Sequence, residues 1–323
     1  MKFINLCGFG LSGCTSQVDF LLNYQSVKGV LSPSERDLDM LCAPCNEFGL
    51  LKCNHSFGGL LIKKLKGDVD NFDKKVLCES IKGLLSTKFE GLSYGEILHL
   101  NNRVLLAKEY GGEYYHAVDK SVGSLPDNLL NLPLLEIIEY LKEAVAIWCK
   151  EVAIIQNSLD STIDVLVFKN DPPGVFPLLS TLIPDGLTSA ILRDPRDVTF
   201  DFNRCYQKEN TIENVEWHCR HFNWHIDNAR QQIEKYFDLI VNHYFVHDFE
   251  SFVQSPSHRD KYLGKMCGRR DKVHEYFNPE KSIKNIGIYK EQPKELVDII
   301  EKQSMQKYLG FRMFLEDRGL FLS

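Results

Sequence analysis

Gly8-Phe9-Gly10-Leu11-Ser12-Gly13-Cys14-Thr15-Ser16 is the stretch of this sequence best suited to chemistry. Its glycines let the backbone turn sharply and approach a ligand closely. Its spacing fits G-x4-G-x-[ST], with Thr15 in the hydroxyl position. An apolar run, Phe3 to Cys7, precedes it, and the periodic Val18, Leu21 and Leu22 follow it. Strand, glycine turn and helix together aim backbone N–H groups and a positive helix end at one anion, typically a phosphate. Nucleotide triphosphatases place a lysine where this chain has Cys14. The missing ammonium argues against ATP or GTP as the working ligand. The bland alternative is an ordinary tight turn after the first strand.

Two later stretches end apolar runs in charged residues. Ile163 to Phe168 leads into Lys169-Asn170-Asp171-Pro172-Pro173, and Thr188 to Leu192 leads into Arg193-Asp194-Pro195-Arg196-Asp197-Val198. A nearly continuous apolar run is the pattern of a parallel strand covered on both faces. Ligands of an open parallel sheet bind at the carboxyl ends of its strands, where these residues converge. Arg193 is suited to grip a phosphate as a charge-assisted fork; otherwise it is a surface ion pair with Asp194 or Asp197. Two other clusters point to metals. Cys42, Cys45, Cys53 and His55 have uneven spacing for zinc and suit loop or core cysteines as well. His218, His221 and His225 share one helix face beside Trp217, Phe222 and Trp224, where packing or surface histidines are the simpler reading.

The elements that must position these groups follow from periodicity. Val27 to Leu31 and Tyr244 to Asp248 read as further strands. Residues 32–59 are irregular and contain Asn46-Glu47-Phe48. Residues 60–160 read as a mostly helical layer inserted between sheet strands, with Leu134, Ile138, Leu141, Val145 and Trp148 at helical spacing. Helices are predicted over residues 210–244, 257–265 and 294–309, and a loop over 277–289. The expected fold is a single α/β domain over 1–323: three layers, α/β/α, around a central, mainly parallel sheet, with a P-loop-like phosphate-binding turn and the helical insertion at about 60–160.

Composition is that of an ordinary globular chain, 44% hydrophobic and 25% charged, with a formal net charge of −6. That balance gives no reason to expect nucleic-acid binding. Ten cysteines are scattered without a framework pattern. No signal peptide and no membrane-spanning run is recognised, so the expectation is a cytoplasmic protein with reduced thiols.

These pieces, in this order, resemble the sulfotransferase family that uses 3′-phosphoadenosine 5′-phosphosulfate (PAPS). Ser12-Gly13-Cys14-Thr15 resembles the family's phosphosulfate loop, S-G-T-[TS], although Leu11 stands where cytosolic members often carry a lysine. Lys169 to Pro173 resembles the K-T-H-L-P turn, with Asp171 in the place of the catalytic histidine. Arg193 to Val198 resembles R-[ND]-P-[KR]-D-V, which begins the 3′-phosphate site. The family serine eight positions after that arginine falls at Asp201 here, so Ser16 or Ser282 would supply the hydroxyl. Lys284 to Lys290 resembles the K-G-x-x-G-D-W-K loop that closes over the nucleotide, with Gly287 and Lys290 matching and Tyr289 replacing tryptophan. Val246 to Pro256, with Phe249-Glu250, resembles the strand-to-helix turn ahead of that loop.

The resemblance implies a bacterial, carbohydrate-type P-loop sulfotransferase. The donor PAPS would lie on Gly10, Leu11, Ser12, Gly13, Cys14, Thr15, Ser16, Arg193, Ser282, Lys284 and Gly287. Lys169 would stabilise the leaving group. Asp171 or Glu47 would be the general base, since glycan sulfotransferases often use a glutamate after the second strand. The product would be 3′-phosphoadenosine 5′-phosphate, the acceptor a hydroxyl or amine of a small molecule, glycan or glycolipid, and no metal would be needed. Two other readings stay open: a nucleotide-dependent P-loop kinase, and a nonenzymatic nucleotide-binding or scaffold protein of the same fold.

Overall fold

A computed structural model describes residues 1–9, 13–30, 57–67, 72–86, 104–105, 111–159, 161–169 and 172–323. Its centre is a sheet of six strands: β1 Lys2–Gly8, β2 Val27–Val30, β3 Val104–Leu105, β4 Val165–Lys169, β5 Leu187–Leu192 and β6 Tyr244–Asp248. They lie in the order β3-β2-β4-β1-β5-β6, and every neighbouring pair is parallel. β1, β4 and β6 are almost wholly buried, as continuous apolar runs require when helices cover both faces.

The principal helices are α1 Cys14–Leu21, α2 Phe57–Leu65, α3 Lys74–Ser86, α4 Gly111–Gly123, α5 Leu134–Leu159, α6 Pro195–Cys205, α7 Ile212–Ile240, α8 Phe249–Gln254, α9 Pro256–Met266, α10 Lys294–Ile300 and α11 Gln306–Asp317. Strand alternation and register place Asn5 and Phe168 on one sheet face, and Leu6 and Ser189 on the other. On the first face the ring of Phe168 stacks on Phe3 at 5.6 Å and meets Trp148 of α5 at 5.7 Å. On the second, Gln17 of α1 and Tyr262 of α9 join Ser189 in one hydrogen-bond cluster. Helix, sheet and helix therefore form three layers.

The expected strands recur within two residues at each end. The inserted region differs from expectation, because β3 falls inside it and pairs Val104 with Gly29 at the sheet edge. A two-residue strand has no periodicity to read. The final helix also differs: a π-helical turn, Glu301–Met305, separates α10 from α11. The expected loop over 277–289 contains short helical turns, Pro279–Ser282, Ile283–Asn285 and Ile288–Glu291. Among the described residues, no helix is long and apolar enough to cross a membrane.

Strand order decides where a ligand fits. From β1 the chain passes to β2 on one side; from β5 it passes to β6 on the other. β1 and β5 are neighbours, so the connections diverge between them. In such sheets that divergence marks the crevice at the carboxyl edge where a ligand usually sits.

Candidate functional site

The strand register sets the level of each candidate group. Lys169 pairs with Leu6, Gly8 with Ile191, and Leu192 with Asp248. Lys169 and Arg193 thus lie on the two strands that flank β1, but not at one level: Lys169 stands beside Leu6, and Arg193 follows β5 beyond the Gly8 level. Both side chains are buried, Lys169 at 3% and Arg193 at 1% exposure.

Gly13 caps α1 with φ 97° and ψ 23°, a left-handed conformation that glycine adopts without strain. A Cβ there would also lie 2.3 Å from Cδ2 of Phe249. The last residue of the glycine turn is therefore wedged against the first residue of α8. The guanidinium of Arg193 sits over the same Phe249 ring, 4.9 Å from its centroid. One aromatic ring joins the glycine turn to the arginine. On the other side of β1, a Cβ on Gly174 would lie 2.5 Å from the carbonyl oxygen of Gly8, so the turn after β4 closes on the same point.

Arg193 has partners of its own. One terminal nitrogen donates to Asp201 Oδ2 at 2.7 Å, and the other donates to the carbonyl oxygen of Asn285 at 2.5 Å. The expected alternative, a surface ion pair with Asp194 or Asp197, is corrected: the pair is buried, and its partner is Asp201. Asp194 instead caps α6, accepting from the backbone N–H of Arg196 at 2.9 Å. Asp197 is buried and accepts from the N–H groups of Gly287 at 2.7 Å and Tyr289 at 3.2 Å. Burial raises its pKa above the usual carboxylate value, and those two bonds oppose the rise. Arg196 lies 4.0 Å from the Tyr289 ring centroid and bridges Asp194 and Glu301 at 2.7 and 2.8 Å. The Arg193-to-Asp197 run thus holds the 283–291 segment at three points.

The placement of the expected residues follows. Gly13 and Arg193 share the Phe249 ring, and Gly287, in the left-handed region at φ 78°, is tied to Asp197. Cys14 is buried, and Thr15 and Ser16 are half-buried in the first turn of α1. Ser282 is half-buried and Lys284 exposed, both on the segment held by Arg193. Gly10, Leu11, Ser12, Glu47 and Asp171 lie outside the described residues, as do Cys42, Cys45, Cys53 and His55. Among the described residues, no group of three or more His, Cys, Asp or Glu is arranged to hold a metal ion. His218 of the histidine face is buried, with Nδ1 2.9 Å from the Thr199 hydroxyl.

Comparison with protein-family models finds no match, and comparison with curated proteins finds none either. The geometry has to carry the functional argument.

Two features were not read from the sequence. Glu250 accepts from the backbone N–H of Asp194 at 3.1 Å and ties α8 to the start of α6. Burial pushes its carboxyl up to about 7. Beneath α1, Gln17 Nε2 donates to the Cys7 carbonyl at 3.1 Å. Its Oε1 accepts from Ser189 Oγ at 2.8 Å, Tyr262 OH at 2.9 Å and His247 Nε2 at 3.0 Å. His247 Nδ1 lies 3.3 Å from His258 Nε2. This buried network fixes the first turn of α1 on β1 and β5, and with it the end of the glycine turn. A glutamine among apolar helix positions was its only signal.

Proposed function

We propose that this chain is a sulfotransferase. It takes a sulfonate from an adenosine 5′-phosphosulfate-type donor, for which the resemblance implies PAPS, and moves it to a hydroxyl or amine of an acceptor, in our reading a carbohydrate or glycolipid. The observation that carries the proposal is the shared Phe249 ring. Gly13 and Arg193, from the two sequence pieces that would hold opposite ends of one donor, both pack on it.

The reaction breaks the bond from sulfur to the bridging oxygen of the phosphosulfate and forms one from sulfur to the acceptor oxygen. The acceptor proton passes to a carboxylate, Asp171 or Glu47, and the nucleotide leaves with its 5′-phosphate. Negative charge grows on the bridging oxygen. Backbone N–H groups at the start of α1 and the ammonium of Lys169 are the donors proposed to stabilise it. Neither needs a divalent metal, because no triphosphate has to be bridged.

Labelled donor incubated with a panel of acceptor sugars tests the proposal. Asp171→Asn or Glu47→Gln should remove turnover and leave nucleotide affinity nearly intact. Normal turnover in both variants rules out this pair of bases. Absence of nucleotide binding in calorimetry, with and without Mg²⁺, removes the enzyme assignment and favours a scaffold.

A further inference from the structure

The β5 end of the crevice is filled by a carboxylate. Asp201, two helical turns into α6, has a side chain only 9% exposed and is held between two arginines. Oδ2 takes the terminal nitrogen of Arg193 at 2.7 Å, and Oδ1 takes Arg204. Arg204 also donates to the side-chain oxygen of Asn285 at 3.0 Å. Both terminal nitrogens of Arg193 are thus engaged, by Asp201 and by the Asn285 carbonyl. Asp201 is the carboxylate in contact with both guanidinium groups; Asp197 adds a second negative charge that acts on Arg193, and Arg204 has a side chain 60% exposed.

A phosphate seeking Arg193 would have to displace this carboxylate or sit against it. Either arrangement sets two anions in contact in a poorly solvated place, where like charges are most costly. A ribose hydroxyl makes the opposite demand, because it donates to a carboxylate. Dinucleotide sites divide in the same way: an acidic side chain meets a free ribose hydroxyl, and an arginine accommodates a phosphate there. We infer that Asp201 makes this a site for a nucleoside 5′-phosphate with free ribose hydroxyls and excludes a 3′-phosphate. The donor class is then a nucleoside 5′-phosphosulfate without the 3′-phosphate, and the spent product a nucleoside 5′-monophosphate. The inference rests on the proposed function, since it concerns the same nucleotide.

The test is calorimetric titration of the full chain, without added metal, using adenosine 5′-monophosphate and adenosine 3′,5′-bisphosphate. The unsubstituted protein should bind the monophosphate at least about tenfold more tightly. Asp201→Asn, which keeps the shape and removes the charge, and Asp201→Ser should reverse the order. Equal affinities, or a preference for the bisphosphate in the unsubstituted protein, overturn the inference and leave the proposed function standing. No binding of either nucleotide overturns both. Should the substituted chains fail to fold in a thermal melt, the ratio in the unsubstituted protein decides alone.

Discussion

At the β1 end of the crevice the chain offers the start of a helix, a left-handed glycine and a lysine at a strand end. At the β5 end it offers a guanidinium already matched by a carboxylate, a carbonyl and an aromatic face. The first end combines the start of a helix with a buried lysine side chain. The second is a buried ion pair, which keeps its charge out of water only because its partners are fixed. The contrast teaches that one crevice can be prepared in two ways. Backbone donors at a helix start can take an anion in general, whereas a buried arginine must be satisfied before one arrives. It then selects a ligand by what its partner tolerates.

Breaking the β5 end should have the largest effect. Arg193→Ala leaves Asp201 buried with only the surface arginine, at a cost of about 3 kcal/mol, and should also sharply weaken nucleotide binding. Urea unfolding and calorimetry read the two effects separately. Unchanged nucleotide affinity would misplace the ribose end. Breaking the β1 end comes next. Gly13→Ala imposes a strained left-handed backbone and a contact on Phe249, together about 2 kcal/mol. A neutral result in the unfolding curve would mean that Phe249 yields easily and does not define the crevice.

Acid sharpens the comparison, because buried neutral histidines lie in the network under the β1 end (His247) and on the α7 face (His218, His225). Burial holds His218 down to about 4, His225 to about 3 and His247 well below its ordinary 6.5. Unfolded, each returns to about 6.5, so below that pH the unfolded chain binds more protons and stability falls as pH falls. Glu250 works in the other sense. Its folded value of about 7 exceeds the ordinary 4.5, so its contribution declines as pH rises through that window. His221 and His258 are lowered in the same sense, and Asp197 is raised like Glu250; the lowered histidines outnumber the raised carboxyls, and the net expectation is progressive destabilisation from about pH 6.5 to 4.5. Melts that show constant or rising stability over that interval would contradict it. The smallest effect is expected from Tyr289→Ala, which removes the ring beneath Arg196 and should cost about 1 kcal/mol while loosening the 283–291 segment. Hydrogen exchange at Gly287 checks it, since that N–H is held by Asp197.

The strands were legible because a parallel sheet covered on both faces writes unbroken apolar runs, as in Val165 to Phe168. Arg193 was legible as a charged residue following such a run. Its partner was not. Asp201 stands as one carboxylate among several near that arginine, and only the path of α6 brings it to 2.7 Å. The neighbour relation of β1 and β5 was equally hidden, because a sequence records strands in chain order and carries no trace of lateral order. Gln17 shows the limit most clearly. A single polar residue on a buried helix face means nothing until Ser189, His247 and Tyr262 are seen around it.

A crystal of the full chain grown with adenosine 5′-monophosphate tests the central claim most directly. The account predicts one nucleotide across the crevice, its phosphate on the N–H groups at the start of α1 and its ribose against Asp201 and Arg193. A nucleotide bound elsewhere, or one that touches only one of those two places, would contradict it.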